Sequence, residues 1–310
     1  MRFIYILPLV MALLGHHIAV AAPFAYITNT GSNSVSVIDT ATNTVVTTVP
    51  VGFAPLGVAV NPTGTQVYVA NYTPSNVSVI DTATNTVADT VPVGANPIGV
   101  AVNPAGTRVY VTNQNSSNVS VIDTTTNTVV ATVAVGSVPW GVAVNPAGTR
   151  VYVASNGSHK VSVIDTATNT VADTVAVGLS PIGVAVNPTG TRVYVANNGT
   201  NSVSVIDTAT NTVVTTVTVG SAPYGVAVNP AGTRVYVTNN NSDNVSVIDT
   251  ATNTVAATVA VGFSPDAFGL FIGPAPTSLD QTGIRYVLPA AALGFAALIV
   301  LGRRRRVQRV

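Results

Sequence analysis

A 42-residue unit repeats six times along this chain without an insertion, and that regularity limits the fold more than any other property. The phrase Val-Ser-Val-Ile-Asp-Thr-x-Thr-Asn-Thr-Val recurs with its aspartate at Asp39, Asp81, Asp123, Asp165, Asp207 and Asp249. A Tyr-Val or Tyr-Ile pair stands at Tyr26, Tyr68, Tyr110, Tyr152, Tyr194 and Tyr236. A unit of this size cannot bury an apolar face by itself, so neighbours must stack and share one continuous core.

Residues 94 to 135 show what one unit encodes. Four segments rich in β-branched residues alternate in polarity, Gly99 to Val102 (strand A), Arg108 to Thr112 (B), Asn118 to Ile122 (C) and Thr128 to Val135 (D). The A to B connection contains Pro104 and Gly106, a proline-set turn with a residue free to take positive φ. The C to D connection runs from Asp123 to Asn127, whose side chains can bond back to the local backbone. Both read as tight hairpins, and four antiparallel strands per 40 to 45 residues is the period of a β-propeller blade.

Counting strands predicts an all-β, six-bladed propeller. The segment Phe24 to Thr28 aligns with strand B, so the first unit lacks its own strand A, whereas Phe268 to Ile272 aligns with strand A and has no B, C or D behind it. The expectation is that this C-terminal strand completes the first blade and closes the ring, removing an exposed sheet edge. A linear stack would leave two edges unpaired.

The flanks read as processing signals. Met1-Arg2, the apolar stretch from Phe3 to Leu14 and Ala19-Val20-Ala21 form a secretory signal over residues 1–21. The propeller then occupies 22–275, and 276–310 hold a linker, the apolar Tyr286 to Leu301 and Arg303 to Arg306. As a helix that apolar stretch would reach about 24 Å, short of a hydrocarbon core of about 30 Å. Export without any cysteine leaves stability to the sheets alone. Removal of both flanks would leave five basic residues against the aspartates of the repeats, an acidic surface unsuited to nucleic acid.

The motifs "YVTN" at Tyr110 to Asn113 and Tyr236 to Asn239, "YVAN" at Tyr68 to Asn71 and Tyr194 to Asn197, and "NVSVIDTATNTV" resemble those of the YVTN family of β-propeller repeats. The resemblance covers residues 24 to 274 and implies a secreted or surface-displayed propeller with no shared catalytic residues to carry over. The fourth unit departs from it with Tyr152-Val153-Ala154-Ser155, and propellers similar to these are often seven-bladed. The tail resembles a cell-wall sorting signal, with Leu279-Asp280-Gln281-Thr282-Gly283 where that family has Leu-Pro-x-Thr-Gly. By that resemblance a sortase would cut after Thr282, although Asp280 replaces the motif's proline. A PEP-CTERM-like signal or simple membrane anchoring are the other readings of the same tail.

Residue types give little support to catalysis. After removal of the signal one histidine remains, His159, beside Lys160 in a B to C loop, and the chain has no cysteine or glutamate. The six repeated aspartates could ring a cation, but each sits in a turn that needs it as a cap. Comparing the units with one another is more informative. The A to B and C to D turns hardly change, whereas the B to C and D to A loops differ in almost every copy, and antiparallel geometry puts these two variable loops on one face of the disc. There the residue after the D to A proline is Leu56, Ile98, Trp140, Ile182, Tyr224 or Asp266, a candidate ring at the mouth of the central channel, or else side chains that pack between blades.

The sequence therefore predicts an extracellular propeller anchored to the cell surface, through wall or membrane. It would act without catalysis or cofactor, as a structural module or by binding a protein or glycan on its variable face. The alternative is a hydrolase resembling propeller lactonases, which would need metal-binding carboxylates converging on the channel. Strand A offers only the neutral amides Asn61, Asn103, Asn145, Asn187 and Asn229 at its end, and these are poor metal ligands.

Overall fold

The computed structural model describes residues 24–267. The signal segment, the closing strand at 268 to 272 and the tail, including the sorting motif, lie outside them. The described chain forms six antiparallel sheets in sequence order, one of three strands over residues 24–50 and five of four strands. Among the described residues no helix is long and apolar enough to cross a membrane.

In blade 3, strand A is Pro97–Val102, B is Arg108–Asn113, C is Asn118–Asp123 and D is Thr128–Ala134, so the sequence-derived strands differ from the observed ones by two residues or fewer. The turns form through the residues that the sequence singled out. Asn103 Oδ1 accepts the Thr107 and Arg108 amides at 2.8 and 3.0 Å, and Gly106 takes φ +71°. The terminal asparagines of strand A are thus occupied as turn caps. Asp123 Oδ1 accepts the Thr125 and Thr126 amides at 2.8 and 3.2 Å, and Asn127 adopts a left-handed φ of 51° that asparagine tolerates.

The B to C register places Arg108 opposite Asp123, and the two side chains pair at 2.5 Å. Arg150 with Asp165, Arg192 with Asp207 and Arg234 with Asp249 repeat the pairing. The same position holds Phe24 in blade 1 and Gln66 in blade 2, so Asp39 and Asp81 cap their turns without that partner. Hydrogen bonds from the turn amides, aided in the later blades by the arginine, hold Asp81, Asp123, Asp165, Asp207 and Asp249 below the usual carboxylate range.

The core lies between blades. Tyr110, Val119 and Val121 of blade 3 pack with Val151, Val153 and Ile164 of blade 4, all 1% exposed or less. Four further clusters of this kind join the other consecutive pairs. Each fully buried valine or isoleucine contributes roughly 1.5 to 3 kcal/mol relative to exposure, so stacking is what holds the units together. At the two ends the pattern stops among the described residues: Val259 of blade 6 is 49% exposed where Val217 of blade 5 is 6% exposed, and Ile27 of blade 1 is 48% exposed where Val69 is buried.

Two glycines per unit are fixed by close approach. A Cβ on Gly94 would fall 2.7 Å from Cγ of Asn113, the last residue of the YVTN phrase, which is fully buried and donates to Asn118 Oδ1 and Ser120 Oγ. In blade 4 the smaller Ser155 fills this place beneath Gly136, together with Ser158. On strand A, a Cβ on Gly141 would lie 2.4 Å from the carbonyl oxygen of Ile182 in the next blade. These strand A glycines let neighbouring innermost strands come together around a narrow channel.

Candidate functional site

The channel is lined by Gly57, Gly99, Gly141, Gly183 and Gly225, with a valine beside each, and by Ala267. Ala267 stands one repeat beyond Gly225, and its carbonyl oxygen is 2.1 Å from where a Gly225 Cβ would be, so the chain leaving blade 6 returns to the channel in the strand A position. Its wall is backbone and small side chains. Distinctive chemistry is therefore left to the mouths.

One face is built cheaply and identically, from Gly64, Gly106 and their counterparts and from left-handed asparagines such as Asn127. The variable face is built differently. Each D to A loop puts a left-handed residue immediately before proline: Ala54, Asn96, Val138, Ser180, Ala222 and Ser264, with φ between 48° and 56°. That conformation is costly for a non-glycine residue, most of all for β-branched Val138, at about 1 to 3 kcal/mol each.

Hydrogen bonds from both sides hold these residues in place. The amide of Asn96 donates to Ser75 Oγ of the preceding blade at 3.2 Å, and its carbonyl accepts from the Gln114 amide of the following one at 3.0 Å. Asn33, Asn201 and Asp243 accept the corresponding amides of Ala54, Ala222 and Ser264. In the fourth unit the acceptor is His159, whose Nδ1 takes the Ser180 amide at 3.1 Å. His159 thus serves as a loop clasp, and Lys160 begins strand C of blade 4 rather than lying in the loop.

The six candidate residues divide by environment. Ile98 and Ile182 are buried, Leu56, Trp140 and Tyr224 are half-buried, and Asp266 is exposed. Trp140 and Tyr224 belong to blades 4 and 6, yet their rings meet edge to face with centroids 5.8 Å apart and planes at 89°. Each immediately precedes a channel-lining glycine, Gly141 or Gly225, so this pair sits beside the end of the channel. Burial and the negative charge of Asp266 push the Tyr224 phenol up to about 12. Asp266 Oδ1 also accepts from Asn240 Nδ2 at 2.6 Å.

Sequence comparison of the units missed a second ring, the residue four positions after the repeated tyrosine: Thr30, Tyr72, Gln114, Asn156, Asn198 and Asn240. Every member is neutral and carries a hydroxyl or amide. Tyr72 donates to Gln114 Oε1 of the next blade at 3.0 Å, and Thr30 and Asn198 donate to the carbonyls of Pro55 and Pro223. The signal was present in the sequence as one variable polar position at constant spacing.

Residues 167–261 match the family model "Lactonase, 7-bladed beta-propeller". No curated protein of similar sequence was found. Among solved structures, a Kuenenia stuttgartiensis hydrazine synthase chain is similar with 23% identity and a TM-score of 0.71, covering 82% of this chain and 91% of that one. A functionally unknown protein from Desulfotomaculum acetoxidans DSM 771 is similar with 18% identity and a TM-score of 0.68, covering 81% and 86%. At these identities the structures share the fold, a β-propeller.

These matches correct one expectation, that the chain is not an enzyme. The lactonase family model that matches residues 167–261 points toward an enzyme-like propeller family. A count of histidine, cysteine and glutamate left aside the one carboxylate of the candidate ring, Asp266, which lies against Tyr224 and Asn240. Blade number also differs, because the matching family has seven blades and the described residues form six sheets.

Proposed function

We propose that this β-propeller is a recognition module that holds its ligand over the channel mouth on the variable face. The observation that carries the reading is the contrast between the two faces. One repeats inexpensive turns, whereas the other maintains six strained loop residues around side chains that differ from blade to blade. Strain of that kind persists where a specific surface shape has to be held, and it is found preferentially at binding sites. In the same reading the blades close into a ring, which the return of the chain at Ala267 to the strand A position supports. Residues 1–21 direct export and 276–310 hold the domain at the cell surface, where its partner is a protein or glycan.

The test is to make the face uniform. A variant carrying Trp140→Ile and Tyr224→Ile, which repeat the residue already at Ile98 and Ile182, should keep its β-sheet circular dichroism and lose binding of the labelled protein to intact cells of its source. Undiminished binding by the folded variant would refute the reading.

The lactonase match favours a second reading, hydrolysis of a cyclic ester at the same mouth. Asp266 would then act as general base on water, and Tyr224 and Asn240, which lie against it, would orient the substrate. A panel of γ- and δ-lactones assayed by proton release tests this, and activity in an Asp266→Asn variant equal to that of the original chain would exclude that role.

A further inference from the structure

The two rings at the channel mouth specify a ligand chemistry. The inner one presents Trp140 and Tyr224 as half-buried aromatic surface beside the end of the channel, large apolar plates with a polar edge. The outer one presents amides and hydroxyls, groups that both donate and accept hydrogen bonds. The one formal charge among the twelve positions is Asp266, and Asn240 already donates to it. A phosphate, a sulfate or a polyanion would need cationic partners that neither ring supplies. An extended peptide would need an open strand edge or a deep apolar groove at the mouth, whereas strand A of blades 2 to 6 is paired with strand B and lies against the strand A of an adjacent blade.

We propose that Trp140, Tyr224 and the ring of Tyr72, Gln114, Asn198 and Asn240 form a binding site for a neutral saccharide. The aromatic pair takes the C–H face of a pyranose ring, and the amides and phenol exchange hydrogen bonds with its hydroxyls, each of which is donor and acceptor at once, as these side chains are. All four polar residues are already hydrogen-bonded, Tyr72 to Gln114 of the next blade, Asn198 to the Pro223 carbonyl and Asn240 to Asp266, so they are pre-oriented and lose little freedom on binding. Because the variable residues differ around the axis, the site is one asymmetric seat and not six equal ones, and it takes one sugar chain end-on. This inference rests on the recognition reading above and specifies its ligand.

Trp140 is the chain's sole tryptophan, so its fluorescence reports the site without labelling. The full chain would be titrated with cellotetraose and with tetra-N-acetylchitotetraose, and in parallel with a pool of synthetic octapeptides. The expected result is a saturable shift of Trp140 emission with at least one tetrasaccharide. Calorimetry should then show binding weakened by about tenfold or more in Trp140→Ala and Tyr224→Ala, and within about threefold of the original in Trp140→Phe, which keeps an aromatic plate. Unchanged melting temperatures keep the comparison independent of folding. Silence from both saccharides together with Trp140-dependent peptide binding would overturn the saccharide and leave the recognition face standing. Silence from all probes, while the folded Trp140→Ile, Tyr224→Ile variant still binds cells, would overturn both. Saccharide binding undiminished in Trp140→Ala would overturn the site.

Discussion

Gly141→Ala is the substitution whose cost follows most directly from the packing between blades. A Cβ there would meet the Ile182 carbonyl oxygen at 2.4 Å and Val184 atoms at 3.2 and 3.3 Å. The oxygen is backbone in the adjacent strand A, so no rotamer change relieves the contact and two blades must separate. Overpacking of this kind costs about 1 to 3 kcal/mol, and a clash with backbone belongs at the upper end. Replacing glycine also removes freedom from the unfolded chain, which returns about 0.4 to 1 kcal/mol. The net loss is about 2 kcal/mol, and for a domain of this size that lowers Tm by about 4 to 8 °C. Differential scanning calorimetry measures it, with Gly31→Ala as control, because a Cβ at Gly31 meets nothing within 4 Å and its φ is outside the left-handed region. Gly31→Ala should leave Tm within about 1 to 2 °C. Equal melting of Gly141→Ala and Gly31→Ala would refute the argument that strand A glycines set the approach of the blades.

Asn113→Ala removes a fully buried amide and the bonds it donates to Asn118 and Ser120, and should cost about 1 to 3 kcal/mol, whereas Asn113→Ser, which copies Ser155 of blade 4, should cost less. Urea unfolding of the two variants ranks them, and a serine variant as unstable as the alanine one would count against the pocket beneath Gly94. His159→Asn should preserve the clasp on the Ser180 amide, as Asn33 and Asn201 do in their loops, and leave Tm unchanged, while His159→Ala should lower it by about 2 to 4 °C. Acid should destabilise the fold through the turn aspartates. Asp81, Asp123, Asp165, Asp207 and Asp249 are depressed in the folded chain, so their contribution is complete above the usual carboxylate range and is lost as pH falls through about 4 and below. A melting temperature that stays level from pH 6 down to pH 3 would contradict this.

What could be read in the sequence is what short segments decide. The alternation of Val109, Val111, Val119 and Val121, the capping Asp123 and the turn at Gly106 act within a few residues, and the observed strands and hairpins follow them closely. The division into a uniform and a variable face follows equally from antiparallel connectivity. The Arg108 to Asp123 pair was available from the hairpin register, but it spans 15 positions and is not announced by local pattern. Contacts between blades were out of reach. Nothing near Trp140 in sequence indicates that its partner is Tyr224 two blades away, nor that Ile182 between them is buried while both aromatics stay half-exposed. Equal spacing made these candidates look equivalent, and the structure separates them into packing residues and mouth residues. The non-catalytic expectation failed for a related reason, since a census of residue types does not register that residues 167–261 match a lactonase family model.

The strand A glycines also bear on how such a chain can change its length over generations. Near-identical units invite duplication and loss by misalignment, and the cores between blades would accept an extra copy because every junction uses the same residues. The innermost contacts are less permissive. In the proposed ring, inserting a blade reduces the angle between neighbours and widens the channel, drawing each glycine away from the carbonyl it now abuts. Copy number is therefore held by geometry at the axis even where the genetic mechanism leaves it free, and a viable change in the number of blades should be accompanied by larger residues at positions 57, 99, 141, 183 and 225.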